Sequence, residues 1–295
     1  MAIVSASLVP AALALTAASL FGVSAIPAKR GLSYVDAQTG ALIAIATVVC
    51  LYVLSAVWWM RADDWFTTGF WVFVLAGLMH PMLSMYFGLE AIQRAGATVA
   101  STLAATSPFF AALTAVLFLG ENVTALIAIG TFTTVIGVMT LSWSPHGVTQ
   151  LMRTTLFFAT GAAVIRGLIH TIGKWGLVLL PNVFMAGFVS FSVGLIGMLT
   201  IHRLRHGRFP TNLPPTAVVY FAVSGVLIGV AVLCMYTALL TGDVVVVSPI
   251  VAAYPVFTLL AVMLLREERM TTKIIAGVVL VGAGVALISV GNRMS

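Results

Sequence analysis

Ten stretches of roughly 20 apolar residues, parted by short polar breaks, take up almost the whole chain. About 20 apolar residues are what a helix needs to cross the hydrocarbon core of a bilayer. The runs are 7–27, 35–59, 68–90, 96–119, 122–143, 154–175, 181–202, 216–240, 244–265 and 272–291. None alternates every second residue as a membrane β-strand does. The breaks read Ala28-Lys29-Arg30-Gly31, Arg61-Ala62-Asp63-Asp64, Gln93-Arg94, Gly120-Glu121-Asn122, Ser144-Pro145-His146-Gly147 and Arg266-Glu267-Glu268-Arg269; the longest spans His202 to Pro210. No loop is large enough for a soluble domain. The predicted fold class is therefore all-α integral membrane, with ten transmembrane helices and its function inside the bilayer.

Composition closes the alternatives. Hydrophobic residues make up 61% of the 295 and charged residues 7%, against about 25% charged in soluble domains. A water-soluble enzyme, a nucleic-acid binder and a disordered chain are excluded. The net charge of +6 does not signal nucleic acid, because the bases lie singly between apolar runs; they read as topology signals. Cys50 and Cys234 both fall inside apolar runs, which excludes a disulfide framework and a cysteine metal site; both read as small buried residues. The first run resembles a signal peptide ending near Val23-Ser24-Ala25, but it has no basic segment ahead of it.

Loops after odd-numbered runs carry Lys29, Arg30, Arg94, Arg153, Arg203, Arg205, Arg208, Arg266, Arg269 and Lys273. The other side carries Arg61, Lys174 and Arg293, and Arg166 lies within a span. Cytoplasmic loops are the basic ones. The odd loops are thus expected in the cytoplasm and both termini outside.

The chain repeats itself. At a shift of 147, Ser101 falls on Ser248, Pro108 on Pro255, Phe110 on Phe257, Leu117 on Leu264, Glu121 on Glu268, Thr124 on Thr271, Gly130 on Gly277 and Gly137 on Gly284. At 145, Gly22 falls on Gly167, Lys29 on Lys174 and Gly31 on Gly176; at 150, Met85-Tyr86 falls on Met235-Tyr236. Residues 1–143 and 154–295 then form two repeats joined by a linker over 144–153. Five helices is an odd number, so the second repeat enters the membrane inverted. Inverted repeats are a transporter architecture, with the substrate site at mid-membrane where the halves meet.

Gly22-Val23-Ser24-Ala25-Ile26-Pro27-Ala28-Lys29, Ala104-Ala105-Thr106-Ser107-Pro108-Phe109-Phe110 through Leu119-Gly120-Glu121, and Ala252-Ala253-Tyr254-Pro255-Val256-Phe257 through Glu267-Glu268 carry a further reading. With them the chain resembles the drug/metabolite transporter superfamily, EamA type, over nearly its whole length. The resemblance implies export of small metabolites, amino acids included, through a central cavity lined by helices 1, 3, 4, 6, 8 and 9. Many relatives are basic after helix 2 and keep both termini in the cytoplasm. Here that loop is Arg61-Ala62-Asp63-Asp64 and the bases follow helix 7, so the charge count is preferred.

Arg166 stands near the middle of its run, where an arginine costs at least ~2.5 kcal/mol. His170 and Lys174 follow at i+4 and i+8 on one helical face. One reading is a basic face for the anionic part of a substrate; the other is a structural anchor, favoured for Lys174 by its match to Lys29. His80 precedes Pro81, with Ser84 one turn on, and is the interior side chain best suited to titrate, alongside His170. Pro81 interrupts a helix where a cavity tolerates it. Pro108 and Pro255 are expected as kinks well inside helices 4 and 9, serving as gates or as shared packing. Tyr86, Tyr236, Tyr254, Phe110 and Phe257 form an aromatic lining or part of the core. Glu121 and Glu268 read as first-turn acids, Glu90 and Arg94 as a surface i,i+4 pair, and Asp36, Asp63, Asp64 and Asp243 as interfacial. Gly130, Gly137, Gly277, Gly284 and Gly291 make smooth faces on helices 5 and 10. The resemblance implies that these two helices pack together within one monomer; a second protomer is the other use for such faces.

No carboxylate lies mid-helix, whereas a proton-driven exporter of organic cations would need one. Bases in its place favour a zwitterionic or anionic small molecule. No metal-binding spacing, Gly-x-Ser-x-Gly or phosphate loop is present, so the sequence asks for no catalytic residue, metal or cofactor. The expected partners are a small-molecule substrate and membrane lipids, with no nucleic acid. The reading is a secondary transporter of the cytoplasmic membrane exporting a small metabolite, amino acids foremost. Its rivals are a proton-coupled multidrug exporter and a lipid scramblase or lipid-modifying membrane enzyme.

Overall fold

Helix α1 spans Val9–Gly31 and α2 Ala37–Trp59; after a single turn at 62–64 comes α3, Thr68–Gly88. Then follow α4 Ser107–Leu119, α5 Ala125–Ser142, α6 Arg153–Leu179, α7 Val183–His206, α8 Pro215–Thr241, α9 Val244–Leu264 and α10 Thr272–Met294. These elements come from a computed structural model that describes residues 8–88, 90–91, 103–142, 153–207, 209–211, 213–265 and 271–294. The linker at 144–152, Arg94 and Glu268 lie outside the described residues. No strand occurs among those described, and nine helices are long and apolar enough to span a membrane.

The boundaries have local causes. Asp36 caps α2 by accepting from the backbone N–H of Gln38 at 2.9 Å and of Thr39 at 3.0 Å. Thr67 caps α3 through the Phe70 N–H, and Asn182 caps α7 through the N–H groups of Phe184 and Met185. These side chains satisfy donors that a helix start leaves open. Gly207, at φ 70°, ends α7 in the left-handed region that favours glycine. Trp58, Trp65, Phe66 and Trp71 are exposed around the α2–α3 turn, and Trp59 stacks on Phe184 at 4.6 Å. Such aromatic clusters sit at membrane–water interfaces.

Packing shows the repeat. In the first half α1 packs on α8 and α9, and α2 on α8. With the halves exchanged, α6 packs on α3 and α4, and α7 on α3. The pairs α2–α7 and α5–α10 are their own counterparts, so they flank a pseudo-two-fold axis. A Cβ on Gly130 would lie 2.7 Å from the Gly284 carbonyl oxygen, and one on Gly137 would lie 3.0 Å from that of Gly277. The glycine faces of helices 5 and 10 therefore meet within the monomer, antiparallel, which sets the axis across the helices in the membrane plane. The same exchange holds at atomic scale. A Cβ on Gly22 would meet Phe257 Cβ at 2.6 Å, and one on Gly167 would meet Phe110 Cβ at 2.6 Å.

Several expectations change. Pro108 and Pro255 do not sit deep inside continuous helices. Helix α9 is two pieces, Val244–Val251 and Tyr254–Leu264, and Pro255 lies in the first turn of the second; Pro108 likewise opens Ser107–Thr114. A proline there removes an N–H that has no intrahelical partner anyway. The two breaks match bond for bond: Thr106 N–H to Leu103 O and Ala253 N–H to Ile250 O are both 3.1 Å. Cys50 is exposed on α2 rather than buried, because its face of the helix meets no neighbour, and Cys234 is half-buried. Residues 9–31, including the stretch that resembles a signal peptide, form a helix packed into the bundle.

Candidate functional site

Helix α6 is held closely by three neighbours, each at a glycine. Gly161 faces the Phe87 ring, Gly167 the backbone of α4, and Gly173 the Tyr236 ring. A Cβ at any of the three would come within 2.6–2.9 Å of those atoms. With small residues taking the contacts, Arg166, His170 and Lys174 share another face of the helix.

Opposite stands α3, which is not a regular helix. His80 is extended at φ −143°, ψ 127°, immediately before Pro81. Proline lacks an N–H and crowds the preceding turn, so the helix opens there. Gly194 of α7 makes room for the buried Pro81 ring; a Cβ on it would lie 2.5 Å from Pro81 Cδ. Beyond the break the helix resumes with Ser84, fully buried, whose Oγ lies 2.7 Å from His80 Nδ1. The His80 ring meets Phe191 of α7 edge-on, with centroids 6.5 Å apart.

Arg166 and His170 stand on α6, which packs against α3 and its break. A Cβ on Gly88, two turns past His80, would lie 3.8 Å from Arg166 Nη2, so the guanidinium reaches across to α3. Arg166 is half-buried and makes no hydrogen bond or ion pair among the described residues. The Nδ1 atom of His170 is buried without a hydrogen-bond partner. A guanidinium and an imidazole nitrogen with unspent hydrogen-bonding capacity, beside a second imidazole, suit an anion in a low-dielectric interior.

The remaining candidates lie elsewhere. Tyr86 points to the end of α3: its hydroxyl accepts from Arg205 Nη2 at 2.7 Å, and the guanidinium stacks 4.7 Å above its ring. Tyr236 is buried in the main apolar core. Phe110 lies against Gly167, and Tyr254, at the α9 break, is 37% exposed. His80 and Ser84 on α3 and Arg166 and His170 on α6 thus stand on two helices packed together, while the aromatic candidates form no single lining. Phe191 and Gly88 join the site without having been singled out. Gly88 had a readable signal, sitting four residues past Ser84 on the same face; Phe191 is one aromatic among many.

Two charged clusters differ from expectation. Glu90 is not a surface residue: it is buried, and accepts from Arg205 Nη2 at 2.9 Å. Glu121 does not serve its own helix. Its carboxylate accepts from the backbone N–H of Val244 at 2.9 Å and Val245 at 3.0 Å, capping α9 in the other half. Lys174 Nζ donates to Glu121 Oε1, Asp243 Oδ1 and the Gly242 carbonyl, each at 2.9 Å. Asp243 stands at the α9 N-cap yet makes no cap bond, its carboxylate being engaged by Lys174.

Comparison with known proteins agrees with this architecture. A family model described as "EamA-like transporter family" matches residues 8–143 and again 153–290. A solved crystal structure superposes with a TM-score of 0.82 over 98% of both chains at 16% identity, which shows a shared fold. No curated protein matches the sequence.

Proposed function

The chain belongs to the EamA-like transporter family of multi-pass membrane proteins, and on that premise we propose that it exports small metabolites carrying a carboxylate, amino acids foremost, across the cytoplasmic membrane by alternating access. The observation that carries the reading is Arg166. A guanidinium deep in a span is costly unless something it binds offsets the cost, and among the described residues no carboxylate does so. His170 Nδ1, without a hydrogen-bond partner one turn on from Arg166, adds a polar group that such a substrate could engage. The break at His80 fits as well, since irregular backbone at membrane depth is tolerated where it lines a cavity or is buried in protein. An exporter of organic cations would need the opposite charge at this place.

Purified protein in liposomes, supplied with labelled amino acids and with other carboxylates, tests the reading directly. Flux of carboxylate-bearing solutes that requires Arg166 is expected. Transport confined to organic cations would overturn it.

A further inference from the structure

We infer that Lys174, Glu121 and Asp243 are the gate of one membrane face, closed in this structure. The inference rests on the alternating-access reading. The cluster lies on the face bearing the α4–α5, α6–α7 and α8–α9 turns. It ties together two bodies that the packing distinguishes: α3, α4, α6 and α7 on one side, and α1, α2, α8 and α9 on the other. Lys174 belongs to α6 and Glu121 follows α4; Gly242, Asp243, Val244 and Val245 join α8 to α9. Every bond of the cluster from Lys174 to Gly242 and Asp243, and from Glu121 to Val244 and Val245, therefore crosses between the bodies.

The cluster is sheltered. The Lys174 and Glu121 side chains are 17% and 5% exposed, Asp243 51%. Beneath it the α9 segment Val244–Val251 is buried at every residue, so this face is sealed. The inverted repeat places Lys29 at the position equivalent to Lys174. There the opposite face has a cavity of about 330 Å³, lined by Ala25, Ile26, Lys29, Arg30, Ser33, Thr258 and Val262. Behind Lys174, Thr171 Oγ1 lies 2.7 Å from Thr114 Oγ1, bonding α6 to α4. For a substrate to leave through the Lys174 face, Lys174 must release Asp243 and Gly242, and Glu121 must release the α9 N-terminus.

The test needs no known substrate. In a background with Cys50→Ser and Cys234→Ala, Ser248→Cys puts a thiol one turn inside the gate, at a position 1% exposed. A membrane-impermeant maleimide is added to the gate face of oriented proteoliposomes. Lys174→Met should raise labelling about tenfold or more from that face and not from the other. A brace that merely supports the fold predicts lower thermal stability with equal change from both faces. Unchanged labelling in a folded Lys174→Met protein overturns the gate. Asp243→Asn, at an exposed site, gives the same comparison if Lys174→Met does not fold. Separately, Lys174→Cys with Asp243→Cys, bridged by a short reducible bis-thiosulfonate, should halt amino-acid flux until reductant is added. Flux through the bridged protein overturns the gate while leaving transport intact; absence of amino-acid flux in the wild type strikes at the substrate assignment, and the labelling result still decides the gate.

Discussion

Arg166 is the residue on which most depends. Arg166→Lys keeps the charge and loses the planar two-pronged donor, so affinity for carboxylates should weaken partly. Arg166→Ala should abolish carboxylate binding while the protein stays monodisperse in detergent; normal affinity in that folded variant would remove the residue from the site. The imidazoles permit a second test. If flux depends on a proton gradient, replacing both His80 and His170 with Gln should uncouple it, and persistence of the pH-driven flux refutes their role. Asp36 supplies a prediction outside the bilayer. Partial burial pushes its carboxyl up, but hydrogen bonds from the Thr39 side chain and from the backbone of Thr39 and Gln38 outweigh that and hold it below its ordinary value. A depressed carboxyl stabilises the fold above its unfolded value and loses that contribution as pH falls through the folded one. Asp36→Ala should therefore cost about 1 kcal/mol at neutral pH. The gap from wild type should close below about pH 4, read by thermal unfolding in detergent.

Among the helices, the glycine contacts are where substitution should bite. Gly167→Val would drive side-chain atoms into the α4 backbone, 2.7 Å from the Ser107 oxygen already at the Cβ. A cost of about 1–3 kcal/mol or more is expected, with Gly22→Val suffering similarly at α9. Gly282, which has nothing within 4 Å of its Cβ position, should accept alanine and gain up to about 1 kcal/mol of helix propensity. Opposite signs at Gly167 and Gly282 in one unfolding assay check the packing. The sequence showed these elements well, because a span leaves a long apolar run and each half repeats the pattern. Gly22 with Gly167 and Gly130 with Gly277 are visible as shifts before any contact is known. The break in α3 is half-legible: Pro81 announces an interruption, but the extended backbone falls on His80. Glu121 is the opposite case. Acids before a helix normally cap the next turn, and no local rule points to a helix start 123 residues away. Tyr86 likewise reads as a cavity aromatic until Arg205, 119 residues on, is found against it.

At the scale of the molecule, the charge distribution makes a prediction about orientation. Lys29, Arg30, Arg203 and Arg205 lie at one end of the bundle and the Lys174 cluster at the other. The positive-inside rule predicts that the Lys29 end, with the cavity it lines, faces the cytoplasm. A reporter that fluoresces only in the cytoplasm, fused behind Arg293, should stay dark; bright cells reverse the orientation and make the Lys174 face the inner one. The pseudo-two-fold axis between α5 and α10 has its own consequence. If the protein works by alternating access as proposed, the inverted repeat offers a template for its second state. Exchanging the paths of the two halves then predicts a companion conformer in which the Lys174 cluster has come apart. That conformer specifies which residue pairs must draw together and which must part, giving spin-label distances to be sought in the working protein.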